Sequence, residues 1–109
     1  MGQFRIGQVV SSAFPFSDLS SRKYRPAVIV SIVDFSDLVL CQITSKPYAS
    51  SMAIKLAKSD FSKGGLPLNS YIRPDKLFTA EASIVSKVYG ELTPEKLQQL
   101  QARLRGLFS

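Results

Sequence analysis

The sequence predicts a mainly β fold: a small, strongly bent barrel covered by one C-terminal helix. Three observations point to it. Short apolar runs rich in β-branched residues recur between clusters of Ser, Asp, Gly and Pro, as successive strands and turns do. One run, residues 26–33, is apolar at nearly consecutive positions, as in a central strand buried on both faces. The last stretch carries Leu97, Leu100, Leu104 and Leu107 at a helical spacing of three to four residues. Many short strands with one terminal helix suit a barrel closed by that helix. At 109 residues the chain is expected to be one domain spanning 1–109.

Taken in order, residues 9–14 predict the first short strand, followed by a turn-rich segment through Lys23. Residues 26–33 give the buried strand. Asp34-Phe35-Ser36-Asp37 places polar turn formers between two apolar runs, so a hairpin loop is expected, with residues 38–44 returning antiparallel. Residues 45–51 form a loop broken by Pro47, and 51–56 a further strand. Residues 62–67, with Gly64-Gly65, predict a turn, since paired glycines permit positive φ. Residues 70–72, 77–80 and 84–89 read as short strands or strand ends, the last closed by Gly90. Thr93 suits a helix N-cap and Pro94 the first helical position, where its missing N–H goes unused. Leu92 and Leu97 have the spacing of a hydrophobic staple. The leucine stripe then packs the helix on its own domain.

Lysines and arginines number 14 against 8 acids, a net charge of +6. The pI of about 9.7 favours an anionic partner, nucleic acid or an acidic protein segment, though a merely soluble basic domain also fits. The single cysteine, Cys41, can form no internal disulfide, which fits a reducing, cytoplasmic setting. It lies in an apolar run and reads as a small buried hydrophobe rather than a nucleophile. No signal-peptide pattern opens the chain, and no apolar run approaches the roughly 20 residues of a membrane span.

The chain has no histidine, which removes the usual general base and any Ser-His-Asp triad. With one cysteine there is no zinc-ligand set, and the scattered acids show no two-metal spacing, so no cofactor or metal is expected. Gly64-Gly65 lacks the rest of a phosphate-binding loop. What remains is a group of cations and hydroxyls at strand ends. Arg22, Lys23 and Arg25 precede the buried strand; Thr44, Ser45 and Lys46 follow its expected partner. A hairpin joined at 34–37 aligns its far ends, which brings Arg25 close to Thr44 and Ser45. A guanidinium there can hold a phosphate through two parallel hydrogen bonds, and a hydroxyl can add another. The same residues also suit a solvated strand-end charge and an ordinary β-former.

Several segments together resemble a known family. Phe14-Pro15-Phe16-Ser17-Asp18-Leu19, Arg25-Pro26-Ala27-Val28-Ile29-Val30-Ser31 and Cys41-Gln42-Ile43-Thr44-Ser45 are similar to successive signatures of the MazF/PemK toxins. So are Ser70-Tyr71-Ile72-Arg73-Pro74-Asp75-Lys76-Leu77-Phe78-Thr79 and Gly90-Glu91-Leu92-Thr93 before the helix. The likeness covers nearly the whole chain. It implies an SH3-like barrel, a homodimer, and sequence-selective cleavage of single-stranded RNA by the toxin of a type II toxin–antitoxin system. It implies catalytic roles for Arg25 and Thr44, with Ser45 beside it, and RNA contacts at Phe16, Ser17, Arg22, Lys23, Lys46 and Lys76. The loop from Pro15 to Tyr24 is similar to the one bordering the family's RNA groove. Phe78 stands where some members carry a further basic residue.

Without histidine or metal ligands, the expected route is attack by the RNA's own 2′-hydroxyl on the adjacent phosphate, leaving a cyclic phosphate and a 5′-hydroxyl. Arg25 would stabilise the developing charge and Thr44 would orient a phosphate oxygen. Arginine keeps its proton in water and is a poor base, so the general base is open. The resemblance also implies an acidic antitoxin and DNA binding by the toxin–antitoxin complex. Phe14, Phe16 and Leu19 are candidate apolar contacts for the antitoxin. Two readings from other classes remain: a non-enzymatic toxin on the same barrel that poisons a protein such as DNA gyrase, and a basic module that binds RNA and leaves it intact.

Overall fold

Residues 26–33 and 38–44 do pair as the central hairpin of the sheet. The computed structural model describes residues 4–13, 24–47 and 50–109. Seven strands fill these segments: β1 (Gln8–Ala13), β2 (Tyr24–Val33), β3 (Asp37–Thr44), β4 (Ile54–Leu56), β5 (Phe61–Gly64), β6 (Ser70–Glu81) and β7 (Val85–Leu92). One helix, α1 (Pro94–Leu107), follows. The strands lie in the order β4-β6-β3-β2-β1-β7-β5, every pairing antiparallel. The result is a curled half-barrel with a C-terminal helix, the fold class expected.

Side-chain alternation gives the sheet two apolar faces. Val9, Val28, Cys41 and Ile43 join one core with Leu100 of the helix. Val10, Ala27, Ile29, Leu38 and Leu40 form the other, covered by Phe4, Phe78, Ile84 and Val85. β2 is therefore buried on both faces, but only at Ala27, Val28 and Ile29. Its far end outruns both cores, leaving Ile32 and Val33 exposed. A tight helical turn at Asp34–Ser36, with Ser36 at φ 68°, makes the hairpin loop.

Thr93 caps α1, its side chain accepting the Lys96 N–H at 3.2 Å, and Pro94 opens the first turn. Leu100 is fully buried, while Leu97, Leu104 and Leu107 are half-buried. Lys96 and Arg103 fasten the helix to β4 and to the turn before it by donating to the carbonyls of Lys55 and Met52.

Four expectations change. The strand expected over 51–56 is confined to Ile54–Leu56, because Met52 is held in a turn by its N–H to Ser50 Oγ. Residues 62–64 belong to a strand rather than a turn, pairing with β7. The strands expected at 70–72 and 77–80 are one, β6, which carries Pro74 fully buried within it. Cys41 pairs with Leu77 but Ile43 with Ile72, so two residues on β3 span five on β6, and the extra length bulges around Pro74. At that bulge Arg73 grips Asp75 at 2.7 Å and holds its carboxyl below the usual carboxylate range; Ser50 donates to the same carboxylate and ties the preceding loop down.

The fourth change is Gly90, which does not end its strand: β7 runs on to Leu92. It is glycine because β5 crosses too close for a side chain. A Cβ on Gly90 would run into the Lys63 carbonyl oxygen, and one on Gly64, at φ 63°, into that of Tyr89. Gly90→Ala should therefore lower stability by roughly 1–3 kcal/mol, the usual cost of overpacking. Thermal melting checks this, and a parent-like melting temperature would contradict the close approach.

Candidate functional site

Pro26 lacks an N–H, and the ladder between β2 and β3 reaches only to Ala27↔Gln42. Beyond it β3 keeps pairing with β6, through Ile43↔Ile72 and Thr44↔Tyr71, while β2 keeps β1, through Ser12↔Arg25. The two strands part there, and a cavity of about 280 Å³ opens at their ends. Continuing the β2–β3 register by two residues sets Arg25 opposite Thr44.

Arg25 and Pro26 line the cavity from β2, Ile43 and Thr44 from β3, and Ser45 and Lys46 from the loop that follows. Leu66, Pro67, Leu68 and Ser70 form a second wall, and Tyr89 of β7 a third. Among the described residues the lining therefore carries two cations, Arg25 and Lys46, and the aliphatic hydroxyls of Thr44, Ser45 and Ser70, the interior is mostly apolar, and no carboxylate lines it. Thr44 Oγ1 accepts the Lys46 N–H at 3.1 Å, which fixes the start of the loop and leaves the hydroxyl hydrogen to donate elsewhere. Ser70 Oγ donates to the Leu68 carbonyl at 2.9 Å, and the Gly65 N–H to the Tyr89 carbonyl at 3.1 Å, so the apolar walls are held to the sheet. Lys87 Nζ lies 5.0 Å from the centre of the Tyr89 ring, within cation–π range. Tyr89 also borders a neighbouring cavity with Arg5, Lys63 and Glu91, where Arg5 and Glu91 pair at 2.8 Å.

Of the residues singled out by sequence, Arg25, Thr44, Ser45 and Lys46 meet at this cavity. Lys76 is exposed on β6 and does not line it. Phe16, Ser17, Arg22 and Lys23, with Phe14 and Leu19, lie outside the described residues. Phe78 is half-buried against the second core. Cys41 is fully buried, and desolvation, helped by the charge of Asp75, pushes its thiol up to about 12, so it is inert as a nucleophile at neutral pH. Sequence reasoning missed Tyr89 and the 66–68 wall. Their one signal was the glycines at 64 and 90, where the close approach of the paired strands β5 and β7 delivers both to the cavity. Among the described residues no group of three or more His, Cys, Asp or Glu could hold a metal ion, and no helix is long and apolar enough to cross a membrane.

Comparison with known proteins adds to this geometry. A family model for PemK-like, MazF-like toxins of type II toxin–antitoxin systems matches residues 5–108. No curated protein matches the sequence. Among solved structures, an endoribonuclease in complex with its cognate antitoxin, from a mycobacterial species, superposes with a TM-score of 0.73 at 20% identity, covering 99% of this chain and 95% of that one. MazF from Deinococcus radiodurans gives 0.71 at 18% identity, covering 94% and 93%. The MazE–MazF structure from the same organism gives 0.73 at 17%, covering 94% and 93%. At these identities the likeness speaks for the fold.

Proposed function

The chain belongs to the PemK/MazF-like toxin family of type II toxin–antitoxin systems, and on that premise we propose that it is an endoribonuclease cutting single-stranded RNA at the Arg25–Thr44 edge of its cavity. The observation that carries the proposal is the meeting of Arg25, Thr44, Ser45 and Lys46 on a rim with no acid among its described residues. Such a rim attracts a phosphodiester, and its cations disfavour a bound metal ion. The chemistry then falls to the substrate. The 2′-hydroxyl oxygen bonds to the adjacent phosphorus and the bond to the 5′-oxygen breaks, giving a 2′,3′-cyclic phosphate and a 5′-hydroxyl. The guanidinium of Arg25, charged throughout, stabilises the oxyanions of the transition state. The Thr44 hydroxyl, its lone pair engaged by Lys46 N–H, donates to a phosphate oxygen.

The apolar interior suits the base beside the cut phosphate. Tyr89 and the 66–68 wall offer a surface for stacking, a contact worth about 1–3 kcal/mol per base. Tyr89→Ala should therefore raise KM about tenfold or more and change kcat far less. Steady-state kinetics on a short RNA measure the split; an unchanged KM would remove the cavity from the substrate path.

The proposal extends to partners. A +6 chain with this rim suits a flexible acidic segment of an antitoxin, lying where RNA would bind and blocking it by mass action. Homodimerisation without the antitoxin is part of the same reading, supported by exposed apolar side chains such as Ile32 and Val33. Binding of an acidic antitoxin peptide should weaken steeply with salt, since the Debye length falls from ~10 Å at 0.1 M to ~3 Å at 1 M. Calorimetric titration at the two salt levels tests this, and equal affinities would remove the electrostatic account.

A further inference from the structure

Gln42 has a feature its strand does not explain. Its side chain is buried, with the residue 9% exposed, and among the described residues its Oε1 is the one fully buried side-chain oxygen or nitrogen without a hydrogen-bond partner. An orphaned buried acceptor destabilises a fold, so such groups are few and tend to mark functional positions. Alternation along β3 puts Gln42 on the face of Leu38 and Leu40, away from Cys41 and Ile43. Thr44 is the next residue on that face. Gln42 pairs with Ala27, so Arg25, two residues on along β2, is its diagonal neighbour. Diagonal Cβ atoms across a ladder lie about 7–8 Å apart or somewhat less, within reach of an arginine.

Opposite Gln42 on β6 lies the bulge at 73–76, where the Arg73 guanidinium is engaged by Asp75. Ala27 and Leu40 are apolar, and buried Ser12, paired with Arg25, gives its hydroxyl hydrogen to the Ala13 carbonyl at 3.3 Å. Arg25 has five N–H donors. Two parallel ones can grip a phosphate and leave others for an amide oxygen. We propose that Gln42 is a positioning residue for Arg25: when a phosphodiester binds, its buried Oε1 accepts a guanidinium N–H and fixes the fork that faces the phosphate. This inference rests on the Arg25 site proposed above.

The test separates positioning from packing. In the parent, an all-2′-deoxy oligonucleotide should shift and sharpen the Arg25 Nε–H signal in nitrogen-15 NMR; in Gln42→Leu the signal should stay mobile. Gln42→Leu should lower kcat about tenfold, as for loss of one charge-assisted hydrogen bond, with KM and melting temperature not reduced. In an Arg25→Ala background it should add no further loss. Should Gln42→Leu not fold, Gln42→Met carries the same readouts. An oligonucleotide response that is absent from the parent, or equal in parent and variant, overturns the inference. So does parent-like cleavage by the variant, or a loss of equal size in the Arg25→Ala background. If the parent cuts no RNA, the endoribonuclease reading fails by itself, and the Arg25 signal still decides the role of Gln42.

Discussion

Arg25→Ala should cut RNA about 10²–10³-fold more slowly than the parent, the usual effect of removing one preorganised donor from a developing oxyanion, while melting at nearly the same temperature. Arg25 is exposed near the start of β2, and its pairing with Ser12 is through the backbone, so truncation removes little packing. Arg25→Lys should recover only part of the rate, because an ammonium keeps the charge but not the two parallel donors. Thr44→Ala should lose less, since Ser45 stands beside it on the rim. Arg103→Ala is the control: that side chain donates to the Met52 carbonyl and does not line the cavity, so cleavage should be unchanged. Initial rates on one RNA, with melting curves for every variant, measure the set. Parent-like cleavage by Arg25→Ala would place the chemistry elsewhere.

The second large effect belongs to the substrate. If the 2′-hydroxyl is the nucleophile, one deoxy substitution on the ribose just before the cut should abolish cleavage at that position. Binding should change little, because the phosphate, the base and their contacts remain. The protein has no histidine, its cysteine is buried with a thiol pushed up to about 12, and no histidine stands by to activate the hydroxyls of Thr44 and Ser45. Gel analysis of matched oligonucleotides, with and without the deoxy residue, reads the result. Continued cutting at the deoxy position would mean that water or a protein group attacks the phosphorus instead.

The helix and the central hairpin were legible because their signals are local. Thr93 and Pro94 mark the helix start, leucines mark its buried stripe, and Asp34–Ser36 turn formers join two apolar runs. Once that hairpin is granted, antiparallel register alone brings Arg25 to Thr44, so this juxtaposition at the candidate site follows from one topological step. The rest depends on partners distant in sequence. β6 stays one strand across Pro74 because β3 tolerates a bulge there, and nothing near Pro74 announces it. Gly64 and Gly90 read as punctuation, yet both lie inside strands that cross too closely for side chains. That close approach delivers Tyr89 to the cavity; the strand over 84–89 is expected from sequence, but nothing local marks its aromatic as a site residue. Gln42 read as an ordinary strand residue; only burial beside the parting of β2 and β3 distinguishes it.

RNA cleavage by 2′-hydroxyl attack at a cationic rim is directly measurable. Purified protein incubated with unstructured RNA in excess EDTA, followed by mass analysis of the fragment ends, puts it to the test. The expected result is cleavage at a restricted set of positions, with 2′,3′-cyclic phosphates and 5′-hydroxyls on the products. Intact RNA that is cut only after magnesium is added, or fragments bearing 5′-phosphates, would contradict it.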